Sequence, residues 1–421
     1  MNSRAAKFSW AIPVAIVTFL SLLAAAGFRS TTSILFQPFE AEFGWTRADT
    51  SLAMSVNLLF YGFTAPFAAT LMAKYSIRSV GTFALALIAA GSGLTMFMNQ
   101  VWQLVLLWGV IVGAATGSMA LVGGAMVASR WFVKGRGLVT GIFSAAYATG
   151  SLIFLPLTSN LVMSTGWRVA TFVIAAFALA VSLIFAIFFR EKPESVGQLP
   201  FGATEPIAVT VKAPVSMRGN FKVLGEASKR FPFWALVSTF FVCGWTTNGL
   251  IGAHFIPAAH DHGMPMTMAS SLLAVVGIFD IVGTVASGWL TDRFNPVVLL
   301  AIYYGVRGLA LFTVPFVLAP TVEPPLLFFV VFYGLDWIAT VPPTVELCRR
   351  YFGLEVSSVI YGWVFTSHMV GAAIAASFAG WIRVADGSYF IAWITAGVLC
   401  LLATTTILTL LAKRYRNVKT A

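Results

Sequence analysis

Twelve apolar stretches of about 20 residues each, parted by short polar turns, fill this chain, near 9–37, 50–72, 79–98, 101–128, 137–160, 167–189, 233–257, 268–290, 297–318, 324–347, 356–381 and 387–412. Lipid offers no partner to a backbone N–H or C=O. A run of this length without period-2 alternation is therefore predicted to cross a bilayer as a helix, not as a barrel strand. With 59% hydrophobic and 10% charged residues over 421 positions, the chain is an all-α membrane protein of twelve transmembrane helices. The start, Met-Asn-Ser-Arg-Ala-Ala-Lys before an apolar run, has the look of a signal peptide, with Ala24-Ala-Ala-Gly27 as a faint cleavage site. The run continues through Phe36 and more spans follow, so it is read as an uncleaved first span.

Charge gives the topology. The net charge of +11 does not point to nucleic acid, because the basic residues sit in short segments between apolar runs. Twenty-one of the 26 Lys and Arg fall in alternate loops, from Arg4 and Lys7 to Lys413, Arg414, Arg416 and Lys419, against Arg47, Arg168 and Arg383 near the other face. That asymmetry predicts both termini in the cytoplasm, in a bacterial inner membrane. Cys243, Cys348 and Cys400 lie in or at the ends of apolar runs, which favours packing over a disulfide or metal set.

Residues 190–232 are the long polar interruption, with Pro193, Pro200, Pro206 and Pro214, and are predicted to link a first half, 1–189, to a second, 233–421. The halves echo each other. Leu71-Met-Ala-Lys74-Tyr75-Ser-Ile-Arg78 after span 2 aligns with Leu290-Thr-Asp292-Arg293-Phe294-Asn-Pro-Val297 after span 8, an offset of 219. Arg130-Trp131-Phe132 aligns with Arg350-Tyr351-Phe352, an offset of 220. Such a repeat predicts two six-helix bundles with a solute site between them near the midplane, exposed alternately to either side.

Charges inside spans are the residues that need a reason, since each costs about 2.5–3.5 kcal/mol at the bilayer centre on the insertion scale. Asp280 lies 12 residues before Asp292, roughly 18 Å deeper at about 1.5 Å per residue. Arg307 in span 9 and Asp336 in span 10 reach a similar depth. Arg307 is expected to neutralise Asp280 or Asp336, and the surplus carboxylate to bind a proton or cation or to pair with Arg29 across the cavity. Asp336, Thr340 and Thr344 recur every four residues as a polar stripe on one helix face, with Pro342-Pro343 weakening the backbone ladder nearby. Arg29 either snorkels to head groups or draws an anionic solute. Asn57 and Tyr61 on span 2, Trp245, Thr246, Asn248 and His254 on span 7, Trp337 on span 10 and His368 on span 11 are weaker cavity candidates, each also explicable as helix packing.

Gly288-Trp-Leu-Thr-Asp292-Arg293 resembles the loop motif of the major facilitator superfamily, and the resemblance extends over nearly the whole chain. It implies that Gly288 permits close helix approach and that Asp292, Arg293 and Arg130 latch the cytoplasmic side. The first-half copy is degenerate, with Ala73 and Lys74 in place of Asp and Arg. Phe39-Glu-Ala-Glu-Phe43-Gly44-Trp45-Thr-Arg47, Lys74-Tyr75-Ser-Ile-Arg78 and Arg130-Trp131-Phe132-Val-Lys134-Gly-Arg136-Gly137-Leu-Val-Thr-Gly141 look like the monocarboxylate and oxalate/formate branch. That branch implies an alternating-access carrier of small organic anions, often proton-coupled. Its site is shaped by a basic residue late in span 1, matched approximately by Arg29, and by an Asp in span 8, matched by Asp280. The branch's Arg four positions later is replaced by Thr284. By superfamily analogy span 10 lines the cavity and span 9 packs outside it, which makes Asp336 the expected solvent-reachable acid and Arg307 the structural base. Asp280 then serves either as the proton-responsive acid of coupling or as the partner that holds Arg307.

A secondary transporter, acting as a monomer with a small solute and protons and without cofactor, is therefore the expected function. Its alternative is a carrier of neutral or cationic aromatic metabolites, drugs or a vitamin. No convergent nucleophile, base or metal set argues for an enzyme, and no Gly-x-x-x-x-Gly-Lys-Ser/Thr loop argues for ATP-driven transport.

Overall fold

The computed structural model of the chain describes residues 9–119, 122–134, 136–205, 216–353 and 356–419; the side chains at 29–30, 69, 73, 122–123, 125, 129, 136–138, 140–141, 144–145, 147–148 and 412–419 lie outside that description. Eleven helices among the described residues are long and apolar enough to cross a bilayer. The 30-residue helix Arg136–Thr165 occupies the predicted fifth span. The described residues form helices and turns, apart from an isolated bridge between Phe132 and Phe201.

Several spans outrun the apolar reading, because polar caps lie beyond the apolar window. Span 1 continues from Ala11–Thr31 through a 3-10 turn, Thr32–Leu35, into Phe36–Phe43. Span 2 is Arg47–Tyr75, begun by a capping box in which Thr46 and Asp49 satisfy each other's backbone N–H. Spans 3, 6, 8, 9 and 11 are Ile77–Thr95, Trp167–Phe188, Met266–Thr291, Pro296–Val317 and Ser357–Asp386. Span 4 is π-helical over Val105–Val112 and span 7 over Trp245–Ile251, between α-helical Phe231–Gly244 and Gly252–Asp261. Span 10 is two helices, Pro324–Asp336 and Val341–Phe352, and span 12 is Phe390–Lys419.

Helix pairing repeats between the halves. Span 3 packs on span 6 as span 9 does on span 12, span 1 on span 5 as span 7 on span 11, and span 2 on span 4 as span 8 on span 10. Two seams then join the halves, span 2 against span 11 and span 5 against span 8. The fold is two pseudo-repeated six-helix bundles, each with its own buried apolar core.

Between the bundles, the segment after span 6 docks its Phe201 backbone on Trp131 and Val133. A further helix, Met217–Ala227, was not expected from the polar composition; Ser216 caps it by accepting from the Gly219 N–H. It clasps the 2/11 seam at this linker face. Asn220 Nδ2 donates to the Pro66 carbonyl of span 2, the Trp363 indole of span 11 donates to the Asn220 carbonyl, and Phe221 packs on Phe67 and Trp363.

Candidate functional site

The proline pair in span 10 generates the site. Pro342 and Pro343 have no N–H, so the carbonyls four residues earlier, Ile338 and Ala339, lose their helical donors. The helix stops at Asp336 and restarts at Val341. Trp337 N–H turns back to the Gly334 carbonyl and Val341 N–H to that of Ile338, and the groups left to be satisfied from elsewhere include the Ile338 N–H and the Asp336, Trp337 and Ala339 carbonyls.

Neighbouring spans supply partners to these four groups. Ile338 N–H donates to Asp280 Oδ1 at 3.1 Å. Arg307 Nη2 donates to the Asp336 and Trp337 carbonyls. Ser287 Oγ donates to the Ala339 carbonyl at 2.5 Å. Span 8 comes this close because a Cβ on Gly283 would overlap the Leu335 carbonyl oxygen.

Arg307 is 1% exposed and forms its ion pair with Asp336, Nε to Oδ2 at 2.5 Å. Its Nη1 donates to Cys243 Sγ at 3.1 Å and Thr246 Oγ1 at 3.3 Å. The guanidinium thus bridges spans 7, 9 and 10. Asp280 takes no part in that pair; it accepts from Thr284 Oγ1 at 3.0 Å and from Ile338 N–H.

A small cavity of about 40 Å³ lies beside Asp280, walled by Met54 of span 2, Ser151 and Leu155 of span 5, Asn248 of span 7 and Trp337 at the break. It lies between the two halves. Three sequence candidates therefore meet there: Asp280, Asn248 and Trp337. Asn248 Nδ2 also contacts His368 Nε2 at 3.2 Å.

The other candidates sit elsewhere. Asp336, expected as the solvent-reachable acid, is paired with Arg307 and does not line the cavity, where the carboxylate of the wall is Asp280. The reason is the break, which directs the Asp336 side chain and carbonyl together onto one guanidinium. The break also ends the expected polar stripe. Thr340 is fully buried against Cys243 Sγ at 3.2 Å, and Thr344 bonds back to the Thr340 carbonyl. Asn57 Nδ2 donates to the Trp108 carbonyl in the π-helical turn of span 4, and Tyr61 packs edge-on against Phe365. The Arg29 side chain lies outside the described residues.

In the loop motif, Gly288 faces open space, so close helix approach belongs to Gly283, one turn deeper. Arg293 lies over the Trp289 ring at 4.1 Å and donates to that residue's carbonyl, and Asp292 is the exposed C-cap of span 8. Arg130 pairs with Glu191 at 2.6 Å, and the same carboxylate accepts the Ile77 and Arg78 N–H groups that open span 3.

Two clusters escaped the sequence reading. Glu191, just after span 6, passed as linker polarity. At the face opposite the linker, Arg47 bridges Glu40 and the Tyr389 hydroxyl, which lies 3.2 Å from His254 Nδ1, and so joins spans 1, 2, 7 and 12. His254 is fully buried, with Nε2 2.8 Å from the Ala376 carbonyl, and is not one of the residues that line the cavity. In the sequence Arg47 stands out as a charge near that face and as the end of the Phe39–Arg47 stretch, and neither feature names Tyr389 as its partner.

Two pseudo-repeated bundles with an acid-bearing cavity between them define a polytopic membrane carrier. The chain belongs to the Major Facilitator Superfamily, whose family model matches residues 17–376, and it is a transporter, not an enzyme. It is 25% identical to monocarboxylate transporter 13 of Rattus norvegicus over 403 residues, covering 95% of this chain and 89% of that one. To the oxalate:formate antiporter of Oxalobacter formigenes it is 25% identical over 400 residues, covering 92% and 90%. Among solved structures, a bacterial homolog of the human lysosomal transporter Spinster, inward-facing and occupied, matches with a TM-score of 0.70 at 14% identity, covering 96% of each chain. That likeness is one of fold.

Proposed function

We propose that this transporter moves a small organic anion, monocarboxylate-like, by alternating access in a proton-linked or exchange cycle. The observation that carries the reading is the state of Asp280. It lines the inter-half cavity, and its hydrogen-bond partners among the described residues are neutral, Thr284 Oγ1 and Ile338 N–H. A carboxylate so placed changes the cavity's charge when it takes up a proton, and a protonated acid donates a hydrogen bond to a bound carboxylate. Relatives named for monocarboxylates and for oxalate and formate support the solute class. Arg29, late in span 1, is the fixed cation of this scheme. In this reading 1–189 and 233–421 are the two rocking units joined by 190–232, and the asymmetry of Lys and Arg supports an orientation with the linker face and both termini in the cytoplasm of a bacterial inner membrane.

A second reading is favoured by one feature of the wall. The branch's Arg is Thr284 here, and Trp337 stands beside Asp280, a pairing suited to a neutral or cationic aromatic solute. Uptake into proteoliposomes under an imposed proton gradient separates the two. Mono- and dicarboxylates are run beside neutral and cationic aromatics. Saturable carboxylate accumulation, collapsed by a protonophore, is the expected result; uptake confined to aromatics would overturn the anion reading.

A further inference from the structure

We propose that Arg307 and Ser287 are positioning residues of the transport site, which hold span 10 open at Trp337–Thr340 from outside the helix and thereby fix Trp337 in the cavity wall and the Ile338 N–H on Asp280. The backbone accounting carries this. Two prolines remove two helical donors, and they explain why the ladder fails. They do not explain why it fails in one defined shape. In lipid an unsatisfied carbonyl costs several kcal/mol, so a break whose remaining backbone groups were free would close into continuous helical turns or recruit water. Here four of the freed groups have a side-chain partner on another span: Arg307 on the Asp336 and Trp337 carbonyls, Ser287 on the Ala339 carbonyl, Asp280 on the Ile338 N–H.

The polarity of these partners matches the backbone. A cation sits on the carbonyl end of Pro324–Asp336, where the helix dipole is negative, and a carboxylate sits on an N–H at the approach to Val341–Phe352. The guanidinium is itself immobilised, by Asp336 Oδ2 through Nε and by Cys243 Sγ and Thr246 Oγ1 through Nη1. Its fork is fully used, and a lysine ammonium cannot reproduce it. Ser287 and Asp280 lie seven residues apart, two turns along the same face of span 8, so a single helix holds the break at two points, the Ile338 N–H and the Ala339 carbonyl. Trp337, whose carbonyl accepts from Arg307 and whose next residue donates its N–H to Asp280, lines the cavity. The arrangement is independent of which solute is carried.

The test uses the full chain in lipid nanodiscs, and its readouts need no substrate. Amide hydrogen exchange is followed in the peptide covering Leu335–Thr340 for wild type, Arg307→Lys, Arg307→Gln and Ser287→Ala. In parallel, 19F spectra are recorded on chains carrying 5-fluorotryptophan at all 13 tryptophans, with Trp337 assigned by the signal lost in Trp337→Phe. Loss of one hydrogen bond at the break should speed exchange there about fivefold in Ser287→Ala, and more in both Arg307 variants, while exchange elsewhere keeps its wild-type rate. The Trp337 resonance should shift or split while the other twelve stay. If Arg307→Lys matches wild type, the two carbonyl contacts are dispensable and the assignment of Arg307 falls. Should the Arg307 variants fail to fold, Ser287→Ala decides alone. An unmoved Trp337 signal with unchanged local exchange, or a uniform change over the whole chain, would overturn the proposal.

Discussion

The two seams that join the halves are built by different rules. Span 2 meets span 11 along nearly its whole length, backbone close to backbone. Cβ atoms on Gly62 and Gly380 would collide with Met369 and Ser51. Hydroxyls cross it toward carbonyls. Pro66 leaves the Gly62 carbonyl without its helical donor, and Thr366 of the other half donates to it at 3.1 Å; Ser55 donates to the Ala373 carbonyl at 2.6 Å. Span 5 packs on span 8 where larger apolar groups, Leu155, Leu273 and Val276, line the cavity together with Asp280. One seam is fastened by neutral, position-specific contacts that do not respond to protons. The other carries an ionisable group next to space. A carrier that rocks needs both, a join that keeps its register and an opening that reads its contents.

The sharpest way to break this contrast is Asp280→Asn. The amide keeps the shape and still accepts from Ile338 and Thr284 through its oxygen, so the fold should be retained. Gradient-driven accumulation should disappear, with internal solute falling to the external level, while solute-for-solute exchange persists. Counterflow in proteoliposomes checks the second half. Loss of both, in a protein that still folds, would put coupling elsewhere. If Asp280→Asn fails to fold, the carboxylate serves packing, and the seams do not divide as described.

Gly380→Leu attacks the other seam and should mainly cost stability. With Ser51 and the Arg47 carbonyl already in contact distance, the added side chain has nowhere to go, and overpacking of this kind costs about 1–3 kcal/mol. Gly288→Leu, on the same kind of helix but facing open space, is the control and should leave the melting temperature within error. Equal shifts in the two variants, read by thermal unfolding in detergent, would show that the 2/11 seam is no tighter than a lipid-facing surface.

The parts of this molecule that were legible in the sequence are those set by solvent. Lipid dictates helices, so span count, the repeat and the depth of Asp280, Arg307 and Asp336 could be read from apolar runs and charges. Which acid Arg307 takes was not legible by depth, because depth ignores rotation about the helix axis, and the break at Trp337–Thr340 reset that rotation within span 10. The break had a signal. Pro342-Pro343 names its own orphaned carbonyls, and asking what would satisfy Ala339 points to a hydroxyl such as Ser287. Reading Asp336, Thr340 and Thr344 as one stripe assumed a continuous helix across those prolines. Glu191 and Tyr389 were not legible because their partners, Arg130 and Arg47, lie far off in sequence, and Glu40 stands seven residues from Arg47 across the turn between spans 1 and 2, where spacing alone does not show a pair.

Thr366→Val is the smallest and most specific test of the fastened seam. The substitution keeps volume and removes the donor to the Gly62 carbonyl, which Pro66 has deprived of any helical one. Interhelical hydrogen bonds in membranes average about 0.6 kcal/mol because the unfolded chain in lipid finds other partners. The melting temperature should therefore fall only slightly, and Thr366→Ser should restore it, since the hydroxyl and not the methyl makes the contact. Combining Thr366→Val with Pro66→Ala sharpens the argument. Alanine returns an N–H to the Gly62 carbonyl, so the loss seen in Thr366→Val alone should vanish in the double variant. A loss of the same size in both backgrounds would mean that Thr366 stabilises the seam by packing and that the proline in span 2 has no part in it.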